Sequence, residues 1–153
     1  MPSGKSRRPP SRFATSVRKA YRSGLEVGIA SVIAAAGIAV QFETLKVPYC
    51  QPMKQRTYTP DFLLENGIIL ETKGLFSLED RQKHLWVKAQ HPSLDIRFVF
   101  QNAHSPISKG SPTSYARWAD KHAIPWAHKT VPIEWLTSPP CPLRLAAIEA
   151  LKA

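Results

Sequence analysis

Two short β-like runs on either side of a tight turn constrain this 153-residue chain more than any other feature. Residues 57–64 and 68–73 are rich in strand-favouring side chains, and the intervening residues 65–67 end in Asn-Gly. Such a turn between two β-like runs is typical of a β-hairpin. The fold is therefore expected to contain this hairpin.

The length of the loop decides which side chains share a face of the hairpin. A two-residue Asn66-Gly67 loop would place Asp61 opposite Thr72, with Asp61 and Glu71 on opposite faces, because side chains alternate along a strand. A three-residue loop instead places Asp61 opposite Glu71 and puts Gly67 where a positive φ is wanted. We therefore predict the three-residue loop, with Lys73 on the same face as the two carboxylates.

This shared face has the residue types that phosphodiester cleavage needs. Asp61 and Glu71 offer carboxylate oxygens, the ligands that Mg²⁺ prefers, and a bound metal ion can activate water. Lys73 can stabilise negative charge that develops on the phosphate. Two other interpretations stay open: Asp61 could start a turn after Pro60, and Glu71 and Lys73 could form a surface ion pair.

The net charge of +10 is concentrated at the N-terminus. Residues 1–22 contain seven lysines and arginines and no acidic residue, and residues 1–20 are predicted to be a disordered basic arm. Such an arm suits a polyanion, although it could be only a solvated tail. The candidate DNA contacts in the arm and beyond it are Arg12, Arg18, Lys19, Arg22, Arg81, Lys83 and Lys109.

The remaining pattern alternates between helices and strands. Ser23 and Glu26 have the spacing of a capping box, which predicts a helix that ends near Gly37 and gives Glu26 a purely structural alternative role. Helices are predicted at 77–90, 113–122, 133–136 and 143–152, and strands within 38–47, at 94–100 and at 126–131. Two prolines favour an extended linker at 48–52. Residues 21–153 should therefore form one mixed α/β domain.

Other classes of protein fit poorly. No apolar run is long enough for a membrane span, and no signal peptide follows the basic N-terminus. The two cysteines and five histidines lack the spacing of a structural zinc site. A reducing, intracellular compartment is expected.

Several blocks in one order resemble the endonuclease I family of podophages, Holliday-junction resolvases of the PD-(D/E)xK nuclease superfamily. The similarity covers roughly residues 20–136. The matching stretches are YRSGLE (21–26), KVPY (46–49), YTPDFLL (58–64), NGI (66–68), ETKGL (71–75), DR (80–81), KHL (83–85), QHP (90–92), LDIR (94–97) and KGSPTSY (109–115).

The resemblance implies a restriction-endonuclease-like mixed sheet flanked by helices, and an active site of Glu26, Asp61, Glu71 and Lys73. It also implies that Asp61, Glu71 and the backbone carbonyl of Thr72 bind Mg²⁺, with Mn²⁺ able to substitute, and that Glu26 serves a second metal position. Hydrolysis would leave a 5′-phosphate and a 3′-hydroxyl.

The resemblance further implies an intertwined, domain-swapped homodimer. Residues 47–53 would be the bridge between subunits, and each site would combine Glu26 of one chain with Asp61, Glu71 and Lys73 of the other. Two such sites suit symmetric cutting of four-way and other branched DNA junctions. The expected location is the cytoplasm of a phage-infected bacterium, or of a bacterium whose prophage encodes the protein. The alternatives are a nuclease acting mainly on duplex or mismatched DNA and a non-catalytic DNA-binding protein.

Overall fold

A computed structural model describes residues 21–51 and 54–153. The predicted basic arm, with Arg12, Arg18 and Lys19, lies outside the described residues, as do Pro52 and Met53 of the predicted bridge. The helices are α1 (Gly24–Ala35), α2 (Leu78–Gln90), α3 (Tyr115–Lys121), α4 (Ile133–Thr137) and α5 (Pro142–Ala150). The strands are β1 (Val40–Phe42), β2 (Val47–Gln51), β3 (Lys54–Tyr58), β4 (Phe62–Leu64), β5 (Ile68–Lys73), β6 (Asp95–Phe100) and β7 (Trp126–His128).

A mixed five-stranded sheet forms the centre of the fold, in the order β1-β4-β5-β6-β7. β1, β4 and β5 are antiparallel neighbours, whereas β5, β6 and β7 run parallel. A parallel pair needs a long crossover, and α2 and α3 supply the two crossovers. The predicted mixed α/β sheet is confirmed, with β5 as its central strand.

Helices cover both faces of this sheet. On one face, α1 packs Ile29 and Ile33 against Phe62, Leu64 and Leu70. The other face carries α2, whose Val87 contacts a cluster that includes Leu63 and Ile69, and α3 packs on the phenylalanines of β6. Since side chains alternate along β5, Glu71 and Lys73 share the face of Ile69, and Thr72 lies on the α1 side.

The β4–β5 hairpin has the predicted register. Phe62 pairs with Leu70 and Leu63 with Ile69, so the loop between Leu64 and Ile68 has three residues. Gly67 occupies the third loop position with φ of 87°, a conformation that favours glycine. The side chain of Asn66 donates to the carbonyls of Trp135 and Ser138 at 2.9 Å, which ties the loop to α4.

The predicted strand at 57–64 is interrupted. β3 ends at Tyr58 and β4 begins at Phe62, because Pro60 has no N–H to donate to a ladder. The predicted linker at 48–52 is extended at the described residues 48–51, but these residues also pair with β3. β2 and β3 form a separate two-stranded antiparallel sheet in which Val47 is opposite Tyr58.

Serine caps begin α1, as predicted, and also α2 and α3. The hydroxyls of Ser23, Ser77 and Ser114 each accept a hydrogen bond from the backbone N–H three residues later. Gly37 follows α1 with φ of 67°, as expected for a helix stop. Within residues 21–51 and 54–153, no helix is long and apolar enough to cross a membrane.

Candidate active site

Asp61 and Glu71 lie where the hairpin opens beyond its last paired residues. Asp61 directly precedes β4, and its Oδ2 accepts hydrogen bonds from the backbone N–H of Thr72 at 2.8 Å and from the Thr72 hydroxyl at 2.7 Å. Pro60 ends the preceding strand and leaves room for this carboxylate to turn back onto β5. These two bonds fix Asp61 next to the strand that carries Glu71.

The carboxylate of Glu71 is buried, with 5% of the residue exposed. Its Oε2 accepts a hydrogen bond from the Tyr58 hydroxyl at 2.5 Å, and its Oε1 lies 3.0 Å from Nζ of Lys73. Burial raises the pKa of Glu71 above its usual value, Lys73 opposes this rise and the negative charge of Asp61 adds to it. A cation at this carboxylate would therefore relieve an electrostatic cost.

Lys73 lies between two carboxylates. Its Nζ is 3.0 Å from Glu71 Oε1 and 3.3 Å from Asp80 Oδ1, and Lys83 also contacts Asp80 at 3.4 Å. Burial alone would lower the pKa of Lys73, but the two carboxylates outweigh it and hold the pKa above its usual value. Lys73 is thus held as an ammonium ion beside Glu71.

His84, which lies on α2, borders the site. Its ring lies edge-on to Tyr58 and Phe98. Its Nε2 is buried 3.8 Å from Glu71 Oε1 and has no hydrogen-bond partner among the described residues. Burial lowers the pKa of His84 well below its usual value, and the charges of Lys73 and Lys83 lower it further. The imidazole is therefore neutral at physiological pH and supplies no counter-charge to Glu71.

The carbonyl of Thr72 faces away from β6. The Lys73 carbonyl accepts from the Gln101 N–H on the β6 side, and successive carbonyls of a strand point in opposite directions. The Thr72 carbonyl consequently points away from β6, toward the side on which its own N–H meets Asp61. The predicted metal-binding carbonyl is therefore free of the hydrogen-bond ladder to β6.

Glu26 lies on the α1 side of this strand end. It shares an open cleft with Thr72, Gly74 and Gln101, and its Oε2 accepts from the backbone N–H of Arg22 at 2.8 Å. Within one chain, Glu26 is thus near Thr72, on the face opposite to the side chain of Glu71. The capping box that was its alternative interpretation is half formed: the Ser23 hydroxyl accepts from the Glu26 N–H, but the Glu26 carboxylate accepts from Arg22 rather than from the N-cap Ser23.

The predicted DNA contacts within the described residues have different surroundings. Arg22 is exposed and paired with Glu43, and Lys109 is exposed. Lys83 is half-buried, 5.1 Å from the centre of the Tyr58 ring. Arg81 is 7% exposed and donates to the carbonyls of Phe76 and Ile107, a position that does not favour the predicted phosphate contact.

The atoms of the site that could bind a metal ion are mainly oxygen atoms, which are hard ligands. The described residues contain no cluster of three or more His, Cys, Asp or Glu side chains close enough to hold an ion together. Asp61, Glu71 and the Thr72 carbonyl still fit Mg²⁺, because this ion commonly uses one or two carboxylates and fills its other positions with water and substrate phosphate.

Sequence reasoning missed three residues around Glu71 and Lys73: Tyr58, Asp80 and His84. Each lies inside a stretch already matched to the family. Asp80 and His84 are four residues apart on α2, a spacing that places them on one helix face and could have indicated a shared target. Tyr58 carries no such local signal, because its partner is on a different strand.

The fold and the site together define a class of protein. A mixed sheet flanked by helices presents two carboxylates and a lysine at the open end of a central hairpin, the arrangement that the resemblance to PD-(D/E)xK nucleases implies.

Comparisons with known proteins give the particular family. The family model described as phage endonuclease I matches residues 10–153. The chain is 49% identical over 128 residues to endonuclease I of Escherichia phage T7, covering 82% of this chain and 86% of the relative. It is 47% identical over 121 residues to endodeoxyribonuclease 1 of Enterobacteria phage T3, covering 79% and 80%. The chain belongs to the phage endonuclease I family and is a nuclease.

Proposed function

We propose that this protein is a metal-dependent endodeoxyribonuclease that resolves four-way and other branched DNA junctions. The observation that supports the proposal most is that Asp61, bonded to Thr72, and the contacting pair Glu71 and Lys73 all lie at the open end of the β4–β5 hairpin. DNA is the proposed substrate because the relative from phage T3 is named an endodeoxyribonuclease. Junction specificity follows from the family resemblance.

Asp61, Glu71 and the Thr72 carbonyl would hold a divalent cation, Mg²⁺ or Mn²⁺. Bound there, the cation would neutralise phosphate charge and supply a water of lowered pKa. Lys73, held as an ammonium ion by Glu71 and Asp80, is placed to stabilise negative charge on the attacked phosphate. Burial of Glu71 and Lys73 strengthens these interactions by excluding water from one side of the site.

Glu26 would contribute from the other side of the strand end. Its cleft is shared with Thr72, so a carboxylate released from the Arg22 N–H could reach a second cation near the same carbonyl. We propose that this glutamate comes from the partner chain of a domain-swapped homodimer. The support is the position of the predicted bridge along the chain. Residues 47–53 separate α1, which carries Glu26, and β1 from the segment that carries Asp61, Glu71 and Lys73.

Phosphate contacts are proposed for the exposed basic side chains. Arg22 and Lys109 meet this condition, Lys83 borders the site, and Arg12, Arg18 and Lys19 belong to the basic arm. These contacts would recognise the backbone and shape of the junction rather than base sequence.

The deciding experiment compares cleavage of a synthetic four-way junction with cleavage of its linear duplex arms in Mg²⁺. We expect strong preference for the junction, with paired nicks related by two-fold symmetry. Equal rates on both substrates would instead identify a general duplex nuclease. Asp61→Ala should abolish nicking in both assays, and unchanged nicking would show that the active site lies elsewhere.

The dimer is tested separately by light scattering at micromolar concentration. A mass near twice 17.1 kDa is expected. Mixing Glu26→Gln with Asp61→Ala subunits, after joint refolding, tests the shared site. If sites are shared, a mixed dimer has one site with both substitutions and one intact site, so partial nicking returns. If each site is built from one chain, no activity returns.

A further inference from the structure

A buried phenol contacts the carboxylate at the centre of the proposed metal site. Tyr58, the last residue of β3, is 3% exposed, and its hydroxyl donates to Glu71 Oε2 at 2.5 Å. This is a short, charge-assisted type of hydrogen bond. None of the roles expected from the sequence or from the family resemblance includes this tyrosine.

The phenol is itself held firmly. Its backbone pairs with Val47 in the β2–β3 sheet, its ring meets the edge of His84 with centroids 5.0 Å apart, and Nζ of Lys83 lies 5.1 Å from the ring centre. The hydroxyl therefore has little freedom to follow a moving carboxylate. Glu71 must instead adopt the orientation that the phenol allows.

Both oxygens of Glu71 are thereby fixed by different elements. Lys73, on the same strand, contacts Oε1, and Tyr58, on a neighbouring hairpin, donates to Oε2. The β5 backbone already fixes the position of the Glu71 Cα, so the side-chain torsions are the freedom that remains. Groups that orient a metal-binding carboxylate commonly contribute to metal affinity without touching the ion.

We propose that Tyr58 is a positioning residue that sets the orientation of the Glu71 carboxylate for binding a divalent cation. This inference rests on the proposed function, because it assumes that Glu71 binds the metal. It links the β2–β3 hairpin to the catalytic centre through one hydroxyl group. A phenylalanine would fill the same volume, so the hydroxyl can be removed without emptying the core.

The test is Tyr58→Phe with Tyr115→Phe as the matched control. Tyr115 is also buried, and its hydroxyl accepts one hydrogen bond, from the Phe76 N–H at 3.2 Å, outside the site. Calorimetric titration of the DNA-free protein with Mg²⁺, and again with Mn²⁺, should show roughly 10–100-fold weaker binding for Tyr58→Phe. Tyr115→Phe should bind metal like the unsubstituted protein while showing a comparable change in Tm.

Nicking kinetics provide a second readout. Tyr58→Phe should need a higher Mg²⁺ concentration for half-maximal rate, with the rate at saturating Mg²⁺ recovering to within several-fold of the unsubstituted protein. A purely structural tyrosine would lower Tm without moving the metal dependence. Metal binding within twofold of the unsubstituted protein would overturn the positioning role.

Titration of Glu71→Gln in the same way distinguishes failure of the positioning role from failure of the proposed function. If Glu71→Gln loses metal binding and Tyr58→Phe does not, the positioning role is wrong and the proposed function stands. If neither substitution changes metal binding, both are wrong.

If Tyr58→Phe does not fold, proton NMR of the unsubstituted protein still tests the positioning role of Tyr58. The Tyr58 hydroxyl resonance, assigned through its contacts with His84, should shift on adding Mg²⁺, and an unchanged resonance would reject the proposal.

Discussion

The two hairpins of this protein, β4–β5 and β2–β3, differ in how they are held. All side chains of β4 and β5 are buried except that of Thr72, and the β4–β5 turn is bonded to α4 through Asn66. In β3, the first four residues are exposed and only Tyr58 is buried. The first hairpin belongs to the core of the main sheet, whereas the second is a peripheral pair of strands.

The peripheral hairpin is attached to α2 in two ways: Val47 and Tyr58 pack with the buried Val87, and the outer part of the hairpin is held by polar contacts. Gln90 accepts from the Cys50 N–H at 2.5 Å and donates to the Cys50 carbonyl at 2.8 Å, and His91 contacts the Pro48 carbonyl. Tyr49 stacks on Trp86 nearby. Such contacts can be broken without opening the five-stranded sheet. In the proposed function, β4–β5 carries the proposed metal ligands, and β2–β3 contains the proposed bridge between subunits.

Glu71→Gln is expected to have the largest effect, because it removes the charge of a proposed metal ligand from the rigid hairpin. Nicking of a four-way junction should fall on the order of a hundredfold to a thousandfold, the loss typical of removing one group that stabilises transition-state charge. Tm should fall as well, since the single amide oxygen can accept from Lys73 or from Tyr58 but not from both, and the buried Lys73 loses one of its two counter-charges.

Glu65→Gln is the matched control for this loss. Glu65 lies on the same hairpin and is exposed, so the same chemical change there should leave nicking and Tm near their original values. Comparable losses for both variants would mean that negative charge on the hairpin, rather than the Glu71 site, is what matters.

Gly67→Ala should have the next largest effect, on stability. An added Cβ would lie 2.8 Å from the Cβ of Arg144 in α5, and Gly67 has a positive φ of 87°. A non-glycine residue in this conformation costs about 1–2 kcal/mol, and the clash adds overpacking of about 1–3 kcal/mol. We expect urea unfolding to show a loss of about 3 kcal/mol.

Gly110→Ala measures the loss of stability that comes from the positive φ alone. Gly110 has a similar φ of 77°, but an added Cβ would meet no atom of the described part of the chain within 4 Å. Its substitution should cost only about 1–2 kcal/mol. Equal losses at the two glycines would mean that α5 moves aside freely and that the β4–β5 turn is less rigid than its packing indicates.

The contrast between the hairpins also explains what the sequence could predict. The β4–β5 register follows from local rules, namely alternation along a strand and the need for Gly67 at the third loop position. The Ser23 cap is equally local. The same rules missed the break at Pro60, because strand-favouring residues continue on both sides of it.

Contacts between separate elements could not be predicted in this way. Pairing of β2 with β3, and the contacts of Tyr58 and His84 with Glu71, depend on how strands and α2 pack in three dimensions. Arg81 shows the same limit. Its charge suggested a phosphate contact, yet packing buries it against the carbonyls of Phe76 and Ile107.

Gln90→Ala should have the smallest effect and should act on the peripheral hairpin alone. It removes two hydrogen bonds to Cys50, each with a net value of about 1 kcal/mol, partly replaced by water because the site is exposed. Hydrogen exchange should therefore accelerate in β2 and β3 with no change in β4–β5. Gln82→Ala, on the exposed surface of the same helix, is the control and should leave both hairpins unchanged. If exchange accelerates equally in both hairpins, they unfold as one unit, and the β2–β3 segment cannot be exchanged between subunits without opening the catalytic sheet.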